Sequence, residues 1–181
     1  MFVRNWMSSP ALTIFGEETT EAALGLMTCR KVRRLPVVDG GRLAGIVTLS
    51  DLHADRRKDV AVKDVMTRDP LTVAPDDTLE SAAKIMLEKQ VSGLPVVDAN
   101  GQVAGIITES DVFRALCELL GVKEKGARVV FSVPEESDLL ESLRHRLGGL
   151  VPRSLATFHN AERGCWEVVT RVRGRAPALK R

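Results

Sequence analysis

Two stretches of this 181-residue chain carry one chemical signature, Gly-Ile-(Val or Ile)-Thr-x-Ser-Asp, at Gly45–Asp51 and at Gly105–Asp111. The apolar run ending in Thr48 or Thr108 reads as a buried strand, and Ser50-Asp51 or Ser110-Asp111 reads as the opening of a helix. Backbone N–H groups at a helix start lack intrahelical partners and carry positive partial charge, so they suit a phosphate or a hydroxyl. A carboxylate at that point can accept from two vicinal hydroxyls at once, as in a ribose 2′,3′-diol, with each charge-assisted bond contributing roughly 1.5–3 kcal/mol. The same residues also fit plain helix caps. The residues alone leave both readings open.

A second repeated element precedes each signature. Leu35-Pro36-Val37-Val38-Asp39 matches Leu94-Pro95-Val96-Val97-Asp98, and the proline fixes an extended backbone. Backbone groups at 32–34 and 91–93 could therefore read the edge of a base. The copies differ at this point. The first is Val32-Arg33-Arg34-Leu35 and the second Val91-Ser92-Gly93-Leu94. Two arginines can neutralise phosphate, which Ser-Gly cannot. A solvated basic turn is the competing reading of Arg30–Arg34.

These motifs belong to a longer duplication. With Met7 set on Met66 and one gap before Gly41, residues 7–51 align with 66–111 at twenty identical positions, where unrelated segments would share roughly three. Each copy reads β-α-β-β-α. An extended piece (Leu12-Thr13-Ile14, Leu71-Thr72-Val73) leads to a helix, about 18–30 in the first copy. In the second, Asp77 and Glu80 resemble a capping box, and Leu79, Ala82, Ala83, Met86 and Leu87 recur at helical spacing to form one apolar face. Two strands follow, joined at Asp39-Gly40-Gly41 or at Asn100-Gly101, where residues tolerating positive φ predict a tight hairpin. Two copies of one unit bury a face against each other and create two equivalent clefts at their seam.

Between the copies, Asp55-Arg56-Arg57-Lys58-Asp59 reads as a solvated connector, with a nucleic-acid patch as the alternative. Residues 121–126 form a polar hinge. Beyond it, Arg128–Val133 predicts a strand, Ser137–Leu147 a helix with Leu139, Leu140, Leu143 and Leu147 on one side, and Leu155–His159 and Cys165–Val172 two more strands. This βαββ piece, 127–175, is small to stand alone, and 176–181 reads as a basic surface tail.

Composition narrows the function classes. A net charge of +2 argues against a general nucleic-acid binder, and 4% aromatic content without tyrosine argues against base stacking. Apolar runs of about five residues are far short of a membrane span, and Met1–Trp6 lacks a signal-peptide core. Cys29, Cys117 and Cys165 make no metal or redox spacing and read as idle thiols in a reducing cytoplasm. His53, His145 and His159 fall in no catalytic motif, so an enzyme is disfavoured.

On the Leu-Pro-Val-Val-Asp strands and the Gly-h-h-Thr-x-Ser-Asp signatures, residues 5–116 resemble a tandem pair of CBS domains, a Bateman module. The resemblance implies an α/β fold of two βαββα repeats, 1–59 and 60–120, packed on a pseudo-twofold axis. It further implies clefts for AMP, ADP, ATP or S-adenosylmethionine as regulatory ligand, no catalytic cofactor, a homodimer and a possible regulated protein partner. One cleft would use Thr48, Ser50 and Asp51 with Thr72, Val91, Ser92 and Leu94. The other would use Thr108, Ser110 and Asp111 with Thr13, Val32, Arg33, Arg34 and Leu35. The C-terminal piece resembles part of an ACT domain, an order similar to acetoin-utilisation-type CBS–CBS–ACT proteins. Its turn Val133-Pro134-Glu135-Glu136-Ser137 lacks the glycine that lets an amino acid approach.

Overall fold

Alternation of short apolar strands with capped helices produces a βαββα unit, a second copy in which the lead-in strand shrinks to a single bridge at Val73, and a βαββ unit in the computed structural model, which describes residues 1–54 and 60–173. The charged connector 55–59 and the basic tail fall outside the described residues. The first repeat holds β1 (Ile14–Phe15), α1 (Thr20–Arg30), β2 (Arg34–Asp39), β3 (Arg42–Thr48) and α2 (Leu49–Ala54). After β4 (Thr67–Arg68), the second holds α3 (Leu79–Lys89), β5 (Gly93–Val97), β6 (Val103–Thr108) and α4 (Glu109–Leu119). Strands β2 and β3 pair antiparallel with Leu35 opposite Val47, β1 runs parallel to β2, and β5 pairs with β6 in the same register, Leu94 opposite Ile107. Val73 bridges Val96 as β1 does its neighbour.

Each lead-in segment seats on the other copy's sheet. Ser8 bridges Ile106 of the second repeat, and β4 pairs with Gly45 and Ile46 of the first. The glycine of each signature explains the fit. A Cβ at Gly105 would fall 2.7 Å from the sulfur of Met7, and one at Gly45 would fall 2.5 Å from the sulfur of Met66. The two copies are thus tied by reciprocal contacts at matched positions. Leu35, Val37 and Val47 are fully buried in the first repeat, and Leu94, Val96 and Ile107 nearly or fully so in the second.

Local chemistry sets the helix ends. Thr19 and Thr78, matched in the duplication, cap α1 and α3 by accepting from Ala22 N–H and Ser81 N–H, both at 3.1 Å. The cap expected at Asp77 is therefore Thr78. Asp77 instead turns back to accept from Ala74 N–H at 2.8 Å. Leu79, Ala82 and Met86 are buried as expected, but Leu87 is 79% exposed, lying beyond the edge of the buried stripe. Both helices close on a left-handed residue at φ 54°, Lys31 and Gln90. The hairpin turns differ. Gly40 and Gly41 both take positive φ, whereas in the longer turn only Gly101 does. There the Asp98 carboxylate accepts from Asn100 N–H and Gln102 N–H and replaces the second left-handed residue.

Contacts divide the chain into two units, Met1–Val112 and Phe113–Arg181. In the second, β7 (Ala127–Pro134), β8 (Pro152–Asn160) and β9 (Cys165–Val172) form an antiparallel sheet in the order β7-β9-β8, with α5 (Leu139–Leu147) between β7 and β8 in sequence. Val129, Phe131, Val133 and Val168 pack with Leu143 and Leu147 of α5. Asp138 caps α5 by accepting from Leu140 N–H and Glu141 N–H. Leu140, expected on the buried side, is 76% exposed.

Candidate functional site

The strand-to-helix junctions place the signature residues. Thr48 ends β3, and its backbone N–H and hydroxyl both donate to Asp51 Oδ2, at 2.8 and 2.7 Å. Asp51 N–H donates back to Thr48 Oγ1 at 3.3 Å. This is a reciprocal cap with aspartate in the place usually taken by glutamate. Thr108 N–H and hydroxyl donate to Asp111 Oδ2 in the same way, at 2.9 and 2.7 Å. The capping residue is thus the threonine, and each helix starts one residue before the serine. Both copies realise the cap reading. One carboxylate oxygen does this capping, which holds the other oxygen of the same group in a fixed orientation. Asp111 is buried at 6% exposure, and Asp51 is half-buried.

The backbone before each Leu-Pro strand is partly committed. Leu49 N–H donates to the Arg33 carbonyl at 2.9 Å and Glu109 N–H to that of Ser92 at 3.3 Å. Val32 N–H and Val91 N–H close α1 and α3 by donating to the Met27 and Met86 carbonyls.

At the seam of the first unit, a cavity of about 360 Å³ brings Thr48 of the first repeat together with Val91, Ser92 and Leu94 of the second. Its remaining wall is Arg34, Ile46, Thr67, Asp69, Pro70, Leu71, Gln90, Gly93 and Pro95. Ser50 and Thr72 are exposed and Asp51 lies behind Thr48, none of them on the wall, and Leu71 and Pro70 stand where Thr72 was expected. Sequence reasoning missed Asp69 and Gln90. Their left-handed backbones, φ 47° and 54°, mark them as chain reversals, which a motif anchored on strands and helices does not register.

Arg34 is the main departure. Expected with the second cleft, it lines the first. Its Nη2 donates to Ser92 Oγ across the seam, and its Nη1 is buried without a partner among the described residues. Burial pushes its pKa down, Glu109 opposes that shift and Arg33 adds to it. Arg33 is exposed. Of the other second-cleft residues, Thr108 is joined to Asp111, Ser110 is exposed, Thr13 and Val32 are half-buried, and Leu35 is fully buried in the core. Leu35 could therefore serve a ligand only through its backbone.

Among the described residues no group of three or more His, Cys, Asp or Glu side chains could hold a metal ion. No helix there is long and apolar enough to cross a membrane.

Known proteins share this architecture. The CBS domain pair of protein MJ0100, solved in complex with 5′-methylthioadenosine and S-adenosyl-L-methionine, is 30% identical with a TM-score of 0.61, over 68% of this chain and 98% of that one. CBSX2 of Arabidopsis thaliana, solved with AMP, is 33% identical with a TM-score of 0.61 over the same shares. A putative acetoin utilization protein of Vibrio cholerae is 31% identical with a TM-score of 0.63, over 70% of this chain and 98% of that one. In sequence, the inosine-5′-monophosphate dehydrogenase of Korarchaeum cryptofilum is 34% identical over 152 residues, 82% of this chain. The match spans 32% of that enzyme, so the chain covers about a third of its length. The CBS domain model matches residues 3–54 and 62–118, more than half of the chain. The chain belongs to the CBS domain family.

Proposed function

We propose that this protein is a non-catalytic, regulatory module that binds an adenosine-containing nucleotide at the seam of its two CBS repeats. The cavity joining Thr48 to Val91, Ser92 and Leu94 carries the reading. Its volume of about 360 Å³ lies within the roughly 300–1,000 Å³ of small-molecule sites. Apolar side chains (Ile46, Leu71, Val91, Leu94) offer surfaces for a purine, and Asp51, which stands off the wall, would act on a ligand by fixing the Thr48 hydroxyl that lines it. AMP in one relative, and 5′-methylthioadenosine with S-adenosylmethionine in another, support the ligand class. Thr108, Ser110 and Asp111 with Thr13, Val32, Arg33 and Leu35 would form a second site of the same kind. Ligand binding would bias the arrangement of the two repeats in proportion to its differential affinity for their states.

A homodimer in the cytoplasm fits this role. Phe113, Leu116 and Leu119 of α4 are 66, 45 and 52% exposed, an apolar helix face that a second copy would cover. The βαββ piece would serve packing rather than amino-acid sensing. A thermal-shift and calorimetric screen of AMP, ADP, ATP, NAD and S-adenosylmethionine tests the reading, because a ligand of the folded state raises the melting temperature by mass action. We expect a shift with at least one adenosine compound, reduced in Asp51→Ala and Asp111→Ala. No response to any of them would overturn it.

A further inference from the structure

Matched residues of the two repeats would line the two sides of the seam, yet positions 34 and 93, which align in the duplication, are arginine and glycine. Their places in the fold explain the difference. Arg34 starts β2, Gly93 starts β5, and the guanidinium of Arg34 reaches across the seam into the space a Cβ on Gly93 would fill. There Nη2 is bonded to Ser92 Oγ, while Nη1 is buried and has no acceptor. Arginine stays charged in proteins, and a buried donor left unpaired is costly. This resting position is one the side chain can leave without breaking a bond at Nη1. The acceptor that would satisfy it best is an anion in the cavity Arg34 already lines with Thr48 and Ser92.

The same wall also carries one carboxylate, Asp69. One arginine and one aspartate leave the lining without net charge. A single phosphate can pair with Arg34, whereas further phosphates would meet Asp69 with no second cation on this wall. A sulfonium cation would gain nothing from Arg34.

We infer that Arg34 makes the first cleft a site for a nucleoside monophosphate, preferred over uncharged or cationic adenosine compounds and over the triphosphate. This rests on the reading of the seam as an adenosine site. It moves the phosphate-selecting cation from the second cleft to the first and names Arg34 as the residue that sets specificity.

Titration calorimetry with AMP, ATP, 5′-methylthioadenosine and S-adenosylmethionine on the full chain and on Arg34→Gln tests it. The native chain should bind AMP more tightly than 5′-methylthioadenosine. Losing one charge-assisted contact should weaken AMP by about 10- to 150-fold, with 5′-methylthioadenosine unchanged. Should Arg34→Gln not fold, the native chain still gives the answer, because the AMP preference over 5′-methylthioadenosine should shrink as salt rises. Equal losses for the two ligands, a salt-independent preference or tighter binding of S-adenosylmethionine or ATP would overturn the assignment while leaving the adenosine site standing. Silence toward all four would overturn both.

Discussion

Alanine at position 93 tests whether Arg34 packs across the seam. A Cβ there would overlap Nη1 of Arg34 and stand 3.0 Å from the carbonyl oxygen of Ile107. The carbonyl belongs to β6 and cannot move cheaply, but the guanidinium sits at the end of a flexible side chain, so Arg34 is what yields. Gly93→Ala therefore expels the guanidinium, breaks its bond to Ser92 and returns the charge to water. Overpacking costs typically about 1–3 kcal/mol. Rehydration of Arg34 and the lower chain entropy of alanine, about 0.4–1 kcal/mol, offset part of it, leaving a net loss of about 1–2 kcal/mol. Most of that loss requires the arginine. In an Arg34→Ala background only the crowding at Ile107 remains, so the double-mutant cycle should show coupling of about 1 kcal/mol, as touching residues do. Equilibrium urea unfolding of the four proteins measures it. Carrying Trp166→Phe throughout lets Trp6 report on the first unit. Additivity within about 0.3–0.5 kcal/mol would show that the two residues do not meet, and the argument for a cation in the first cleft would fall with it.

Three further outcomes follow from the fold. Asp51→Ala and Asp111→Ala each lose the acceptor of two threonine donors at a helix start, about 1 kcal/mol. The buried Asp111 should cost more, toward the about 1–3 kcal/mol of a deserted buried donor, and a reversed order of urea midpoints would contradict the burial assigned to the two carboxylates. Met86→Ala should cost about 2–5 kcal/mol and the adjacent Leu87→Ala within about 0.5 kcal/mol of nothing, so comparable losses would mean that α3 faces the core with another side. Glu80 is held below its ordinary carboxyl pKa, chiefly by its own backbone N–H in the first turn of α3 and then by the N-terminal amine, against opposing desolvation. A depressed carboxyl stabilises above its unfolded value and loses that contribution as pH falls through the folded one. Acid titration of unfolding stability should therefore be flatter for Glu80→Gln than for the native chain, and parallel curves would refute the coupling.

Much of this was legible because the chain says it twice. The Leu-Pro and Gly-Ile strands, both hairpin turns and the threonine–aspartate junctions sit where the duplicated motifs place them, since local patterning and turn chemistry agree there with the global fold. The lead-in strands, by contrast, shrink to Ile14–Phe15 and a single bridge at Val73. Where the reading slipped, the second copy often held the correction. Asp77 looked like a cap by composition, but Thr78 is identical with Thr19 across the repeat and Asp77 is not matched by aspartate. The partners of Met7 and Met66 were not legible. Duplication shows that two lead-in segments are equivalent, but not whether each seats on its own sheet or on the other's. Only the close approach at Gly45 and Gly105, identical in both copies, hints that backbone must pass there. Leu87 and Leu140 deceived for a simpler reason: leucine is common on surfaces, and only the width of the buried stripe excludes them.

The placement of Arg34 follows from symmetry once the seam is known. In a pair related by a pseudo-twofold, matched residues near the axis face each other, as Arg34 and Gly93 do. Two arginines at that spot would bring like charges together in a space that lacks room for both. Two glycines would leave the seam without a cation. A duplicated site that needs one positive charge near its axis can therefore have it only by breaking its symmetry, with a large residue in one copy and none in the other. The difference between Val32-Arg33-Arg34 and Val91-Ser92-Gly93 is thus a single feature shared by both repeats. Restoring symmetry with Gly93→Arg should force one guanidinium into solvent, and restoring it with Arg34→Gly should empty the wall of its charge. The AMP preference should therefore be lost in Arg34→Gly and kept in Gly93→Arg, where one guanidinium still occupies the seam.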